Sequence, residues 1–480
     1  FDAFVSNPPF MGGTKLEPAF GRNYRELLVN QIGKGIRGVR GTADLCAYFF
    51  LRACTLLGRT GCLGMLATNT ISEGDTREVG LENLLSTGAT IYRGVKSKKW
   101  PGVANLEVAS VWIINGIWRG IFSLNEQTVA RINALLEVPG TVTGKPFRLK
   151  ANEDKCIEGA KSLGMGFVLG PSEAASLLTR NTKNAEVVFP FLTGQDLNST
   201  PDQSATRWAI YFADMPLERQ AAPDGEPCAS DYPDCLRIVE ERVKPERLAY
   251  PPDSSWNRSI RERWWQFGLP RPALLKAIHG LKRVLVRSAV SNINSIAFSS
   301  TSVVFSHATK VFPFDDFGTF ALLQSCFHDV WLSQYASSMR TDIRYTPESC
   351  FDTFAFPLSK STLQEVGGRY YEYRRQIMLT LKEGLTKTYN HFHDQNETSA
   401  DIQQLRQLHV EMDHAVAAAY GWADLDLGHG FHQTKQGLRY TIGEAARREV
   451  LARLLKLNHE RYAEEVRQGL HEKKGRGARG

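Results

Sequence analysis

Asn7, Pro8, Pro9 and Phe10 are the residues whose types and order most clearly permit chemistry. Two consecutive prolines fix φ and remove two donors, so the turn presents its carbonyls and the Asn7 amide as a rigid, acceptor-rich corner. A planar exocyclic amine, such as that of adenine, can give its two N–H bonds to the Asn7 side-chain oxygen and the Pro8 carbonyl. The Phe10 ring would then lie on the face of the base. With both hydrogens accepted, the nitrogen lone pair stays free to attack an electrophilic methyl, and no general base is needed. The plainer reading is a stiff turn at a strand end that packs a phenylalanine.

The elements around the turn decide between these. FDAFVS reads as a strand leading into it, and the first 120 or so residues alternate short apolar runs with helical stretches, the pattern of a mainly parallel sheet flanked by helices. Thr42 is a plausible N-cap for an apolar, buried helix from Ala43 to Leu57, with Gly58 as its stop. GCLGMLAT is the next strand, Arg77 to Thr87 the next helix, and Ala89 to Val95 with Val108 to Ile114 two closing strands around the loop SKKWPGVANLE. Beyond lie a connector (121–185), a mixed α/β region rich in tryptophan and proline (186–357), a helical C-terminal region (358–470) and a basic tail expected to be disordered (471–480).

The chain of 480 residues, 42% hydrophobic and 23% charged, excludes a peptide hormone, a lone small module and wholesale disorder. Its net charge of +7 permits a polyanionic partner without demanding one. Eight cysteines with no C-x-x-C pair argue against a zinc ribbon or a disulfide framework and for reduced thiols in a cytoplasm. No apolar run is long enough for a membrane span, and no cleavable signal is seen. Because the chain opens on Phe1 in what reads as mid-strand, a fragment with sequence missing upstream is expected.

FDAFVSNPPF, DLCAYFFLRA, GCLGMLATNTIS and KKWPGVANLEVASVWI resemble successive motifs of the gamma-group adenine-N6 DNA methyltransferases, which are Rossmann-like and use S-adenosylmethionine. FPFLTGQDLNS, WWQFGLPRPALLKAI, RYTPESCFDTFAFP and EMDHAVAAAYGW are similar to the specificity and C-terminal regions of type IIG and MmeI-like restriction-modification enzymes. The resemblance implies a partial methyltransferase sheet, a target-recognition domain, double-stranded DNA as partner and methyl transfer to a flipped adenine. It implies catalytic roles for Asn7, Pro8, Pro9 and Phe10, a target-base contact from Trp100, and cofactor contacts from Asn7 and Asp44. Ser72, Glu73 and Gly74 would line the same cleft. The glycine-rich cofactor motif is expected upstream of residue 1, so the residues present are expected to hold only part of a cofactor site.

Between Trp256 and Arg287 eight basic residues face one acidic residue, Glu262. Arg258, Arg261, Arg263, Lys282, Arg283 and Arg287 are the candidates for phosphate or base contacts, with Arg271 and Lys276 beside them; a solvated charged face is the alternative. No metal site is expected: His391-x-His393-Asp394 lacks a third well-spaced ligand, and Pro201-Asp202 lacks the rest of a nuclease motif. Two other functions stay open, a DNA-recognition module without catalysis and a methyltransferase acting on RNA or protein.

Overall fold

The apolar runs near the N-terminus build a six-stranded sheet of β1 (Ala3–Ser6), β2 (Cys62–Thr68), β3 (Thr90–Lys99), β4 (Glu107–Ile114), β5 (Phe122–Leu124) and β6 (Gln127–Val129). Its spatial order is β1-β2-β4-β3-β5-β6. The computed structural model describes residues 1–36, 41–100, 107–138, 144–339 and 342–472. They divide into two units, Phe1–Thr143 and Gly144–Gly480.

Within the first unit β1 and β2 are parallel, with Ser6 opposite Met65. β4 slots between β2 and β3 and runs antiparallel to both. β3 and β5 are parallel and β6 turns back. Four strands therefore share one direction, yet most neighbouring pairs are antiparallel, which corrects the expectation of a mainly parallel sheet. The cause is that only seven residues separate β3 from β4, too few for the crossover that parallel neighbours need. Gly64 is needed where β2 faces β4, because a Cβ there would sit 2.8 Å from the Trp112 ring.

Helix α1 (Leu45–Leu56) buries eight of its twelve residues, as its apolar composition requires. Its N-cap is Asp44, not Thr42: the Asp44 carboxylate accepts from the Cys46 N–H, while the Thr42 hydroxyl bonds Asp75. The segment expected as one helix over Arg77 to Thr87 is helical from Gly74 to Ser86 with a π-turn at Glu78–Glu82.

In the second unit, one four-stranded sheet joins Val304–Phe305, Val188–Leu192, Arg207–Ile210 and Val168–Leu169. Another joins Ala297–Ser300, Arg283–Ser288, Thr309–Phe312 and Ile157–Glu158. The stretch 121–185 is thus divided: β5 and β6 complete the first sheet, whereas 157–158 and 168–169 are strands of the second unit. Helices α2 (Ser255–Glu262) and α3 (Pro272–Ile278) come between the Ile157–Glu158 strand and the other three strands of the second sheet, and α4 (Phe317–Gln324) and α5 (Cys326–Tyr335) follow them. The C-terminal helices α6 (Gln364–Leu381), α7 (Leu385–His393), α8 (Ala400–Ala419) and α9 (Glu444–Arg467) belong to the same unit, with a hairpin of Gly430–Thr434 and Gly437–Thr441 between the last two.

Buried polar side chains fasten these pieces. Arg374 on α6 donates to Gln324 Oε1 (2.9 Å), the Tyr389 hydroxyl (3.0 Å) and the Ile296 carbonyl (2.6 Å). Asn458 on α9 accepts from Phe147 N (2.8 Å) and donates to the carbonyls of Phe147 (2.8 Å) and Thr353 (2.7 Å). Glu465 accepts from the N–H groups of Lys150 and Ala151 (both 2.9 Å), and Tyr462 stacks on Phe147 at 4.1 Å. Such bonds to buried backbone groups replace the water those groups lose. Among the described residues no helix is long and apolar enough to cross a membrane.

Candidate functional site

Strand direction fixes where the chemistry-bearing residues fall. β1, β2 and β3 run the same way, so Asn7, the Asn69–Ser72 turn and Trp100 all follow their carboxyl ends, the edge where open α/β sheets bind ligands. Asn7 is exposed, Pro8 buried, Pro9 exposed and Phe10 half-buried against the core of the first unit. The buried Pro8 thereby anchors the turn between an exposed Asn7 and a half-buried Phe10. Trp100 is half-buried and stands three strand positions from Asn7, about 14 Å across the edge.

Two contacts hold the chain just past Phe10. The Met11 N–H donates to Asp44 Oδ1 (3.3 Å), and the Leu45 N–H donates back to the Met11 carbonyl (2.9 Å). The same Asp44 oxygen accepts from Cys46 N (3.0 Å), and the Asp44 N–H donates to the Thr76 hydroxyl (3.0 Å). Gly13 continues the docking, since a Cβ there would fall 2.3 Å from the Thr42 carbonyl carbon. Asp44 is only 7% exposed and is engaged as cap and loop tether; a carboxylate at this helix N-terminus is what the sequence allows, whereas the tether is not legible there because Met11 and Asp44 are far apart in the chain. Ser72 is buried as well and donates to the Asn69 carbonyl (3.0 Å).

The basic cluster separates into distinct environments. Arg258, Arg263, Lys276 and Lys282 are exposed, and Arg261, Arg271 and Arg283 half-buried. Arg258 and Arg261 are steadied by the carbonyls of Pro252 (2.9 Å) and Tyr250 (2.8 Å). Arg271 pairs with Glu158 at 3.2 Å, and the Arg283 guanidinium lies 3.9 Å from the Phe298 ring. Arg287 is a correction: it is 1% exposed, donates to Asn294 Oδ1 (3.0 Å) and the Ser288 carbonyl (3.2 Å), and lies over the Tyr345 ring at 4.3 Å. It belongs to the interior, where burial lowers its pKa, and has no surface for a phosphate. Of the interleaved aromatics, Trp264 and Phe267 are core residues and the half-buried Trp265 donates to the Met215 carbonyl (3.0 Å).

The histidines of the HxHD stretch serve separate structural ends. His391 stands 2.9 Å from Glu397 and 3.3 Å from Glu383. His393 accepts from the Tyr440 N–H (3.2 Å), and burial pushes its pKa down to about 3.

Residues 149–358 match the family model of the MmeI target recognition domain. Among solved structures, the type IIL restriction-modification enzyme MmeI in complex with DNA has a TM-score of 0.70 at 17% identity over 96% of this chain. This chain spans 57% of that enzyme's length. The type IIG restriction endonuclease BpuSI follows at 11% identity and TM-score 0.29 over 88% of this chain and 55% of its own. The DrdV–DNA complex has 12% identity and TM-score 0.33, over 78% and 44%. No curated protein matches the sequence. The chain is a mixed α/β protein whose residues 149–358 are similar to the MmeI target recognition domain. In that domain and in its fold, the chain is MmeI-like.

Proposed function

We propose that this chain supplies the target-adenine pocket and the DNA-recognition domain of an adenine-N6 DNA methyltransferase of a restriction-modification system. The observation that carries the reading is the rigid Asn7–Phe10 turn at the carboxyl end of β1, with Asn7 exposed and the following backbone tethered to α1. An adenine extruded from double-stranded DNA would donate both amine hydrogens, to Asn7 Oδ1 and the Pro8 carbonyl, and rest against Phe10 and Trp100. Rate acceleration would come mainly from orienting the amine. The exposed Arg258, Arg263 and Lys282, with the half-buried Arg261 and Arg283, would contact the DNA backbone or base edges.

S-adenosylmethionine would supply the electrophilic methyl to such a pocket. The residues described here do not fit it alone: Asp44 and Ser72 are buried and bonded within the fold, while Asn7 is exposed. The base-holding half of the reaction is therefore what this chain's own residues account for. That favours one second reading, a DNA-recognition module that does not catalyse by itself. Isothermal titration of the chain with S-adenosylmethionine separates them, because submicromolar binding would contradict a pure reader.

The direct test is Asn7→Ala in the full-length enzyme. Losing one transition-state acceptor should lower methyl transfer about 100-fold or more with duplex binding within about twofold of wild type. Near-normal methylation would overturn the assigned pocket, and preferential transfer to RNA or protein would redirect the substrate.

A further inference from the structure

Cys326 opens α5, while His409 and Asp413 stand four residues apart on one face of α8. All three are buried, and one ligand-type atom from each lies within 4.8 Å of the others. Cys326 Sγ is 3.5 Å from His409 Nε2, which is 3.6 Å from Asp413 Oδ2. A tetrahedral zinc with bonds of about 2.3 Å to sulfur, about 2.05 Å to nitrogen and about 2.1 Å to oxygen sets those edges at about 3.6 and about 3.4 Å. A hydrogen bond does not explain the histidine–aspartate approach, since 3.6 Å is too long for one.

The outer atoms of each group are supported as metal ligands usually are. His409 Nδ1 lies 3.2 Å from the Tyr370 hydroxyl, which leaves Nε2 to face the cluster. Asp413 Oδ1 accepts the Cys326 N–H (2.8 Å), and the Thr441 hydroxyl donates to Cys326 Sγ (3.4 Å). His429 Nε2 lies 2.8 Å from Asp413 Oδ2, a hydrogen bond that orients the carboxylate from outside and is too short for the two atoms to share one tetrahedron, whose nitrogen–oxygen edge is about 3.4 Å.

We propose that Cys326, His409 and Asp413 bind a zinc ion that fastens α5 to α8 inside the second unit. Charge favours it: a thiolate, a carboxylate and neutral imidazole around a divalent ion sum to zero, so little uncompensated charge is buried. A cysteine thiol ordinarily carries its proton near neutral pH, its usual pKa being about 8.5. Formation of the zinc–sulfur bond therefore breaks the S–H bond and releases one proton to solvent.

The test is metal analysis of the purified full chain, followed by chelation and titration with cobalt(II), whose thiolate charge-transfer band reports sulfur ligation. We expect about one zinc per chain and release of about one proton per ion. Cobalt loading should give the charge-transfer band together with tetrahedral d–d bands. Cys326→Ser should abolish the charge-transfer band and weaken cobalt binding about tenfold or more. His409→Gln, a second variant that leaves the Asp413 cap on α5 in place, should weaken it similarly. Zinc content near zero with no charge-transfer band at excess cobalt in folded wild-type chain would overturn the proposal, as would a band that survives Cys326→Ser.

Discussion

Replacing Asp44 by alanine removes one carboxylate that performs two jobs, and their sizes can be worked out separately. Loss of the N-cap bond to Cys46 costs about 1 kcal/mol. The Met11 N–H, part-buried and left without its acceptor, adds about 1–3 kcal/mol. Asp44→Ala should therefore destabilise the first unit by about 2–4 kcal/mol, read as a lower urea midpoint. Asp44→Ser separates the jobs, because a serine hydroxyl can cap α1 but is too short to serve Met11 as well. It should recover about 1 kcal/mol yet leave Met11 amide exchange about 5- to 150-fold faster than wild type, the fold-change equivalent of 1–3 kcal/mol. Hydrogen exchange measured by NMR or mass spectrometry over residues 8–16 reads this directly. Unchanged Met11 protection in Asp44→Ala, or full restoration of protection by Asp44→Ser, would refute the tether.

Gly13→Ala should also dislodge the segment after Phe10, since its methyl would meet Thr42 backbone; a loss of about 1–3 kcal/mol on thermal melting is expected. Arg258→Ala should lower the slope of log affinity against log salt for duplex DNA by about 1. Arg287→Ala should leave that slope unchanged and reduce the melting temperature, because Arg287 is interior; a slope change for Arg287→Ala would return it to the surface. His393 has a folded pKa of about 3, below its ordinary 6.5. Its contribution is then fully present above pH 6.5 and lost as pH falls through the window toward 3, where the unfolded chain takes up the proton. Acid titration of His393→Gln should show a shallower stability loss across that window; an unchanged profile would assign the acid sensitivity elsewhere.

Much of the first unit was legible because β2, β4 and α1 are long apolar runs whose burial their composition demands. The reversal of β4 was not, since an apolar strand reads alike in either direction. β5 and β6 have three residues each, and the strands at 157–158 and 168–169 two each, too short for any periodicity. At the candidate site the Asn7–Phe10 turn was visible from proline chemistry alone, whereas the tether from Asp44 depends on a contact across the intervening loop. Arg287 was misread for a physical reason available in hindsight: RVLVRS has an unbroken apolar centre, the mark of a strand covered on both faces. An arginine at the end of such a run goes inside with it. The zinc-type cluster left only a His-x3-Asp spacing in the sequence, its cysteine lying three helices earlier, on α5.

The grip of α9 on residues 147–151 bears on any attempt to transplant specificity between relatives. A graft cut at 149 and 358 would carry Thr353 into the new host while leaving Phe147 and Asn458 behind. The donated amide would then face a foreign carbonyl, and Glu465 would lose the two backbone amides that now neutralise it. Hybrids that move the lead-in peptide and the terminal helix as one cassette should fold where the shorter exchange precipitates.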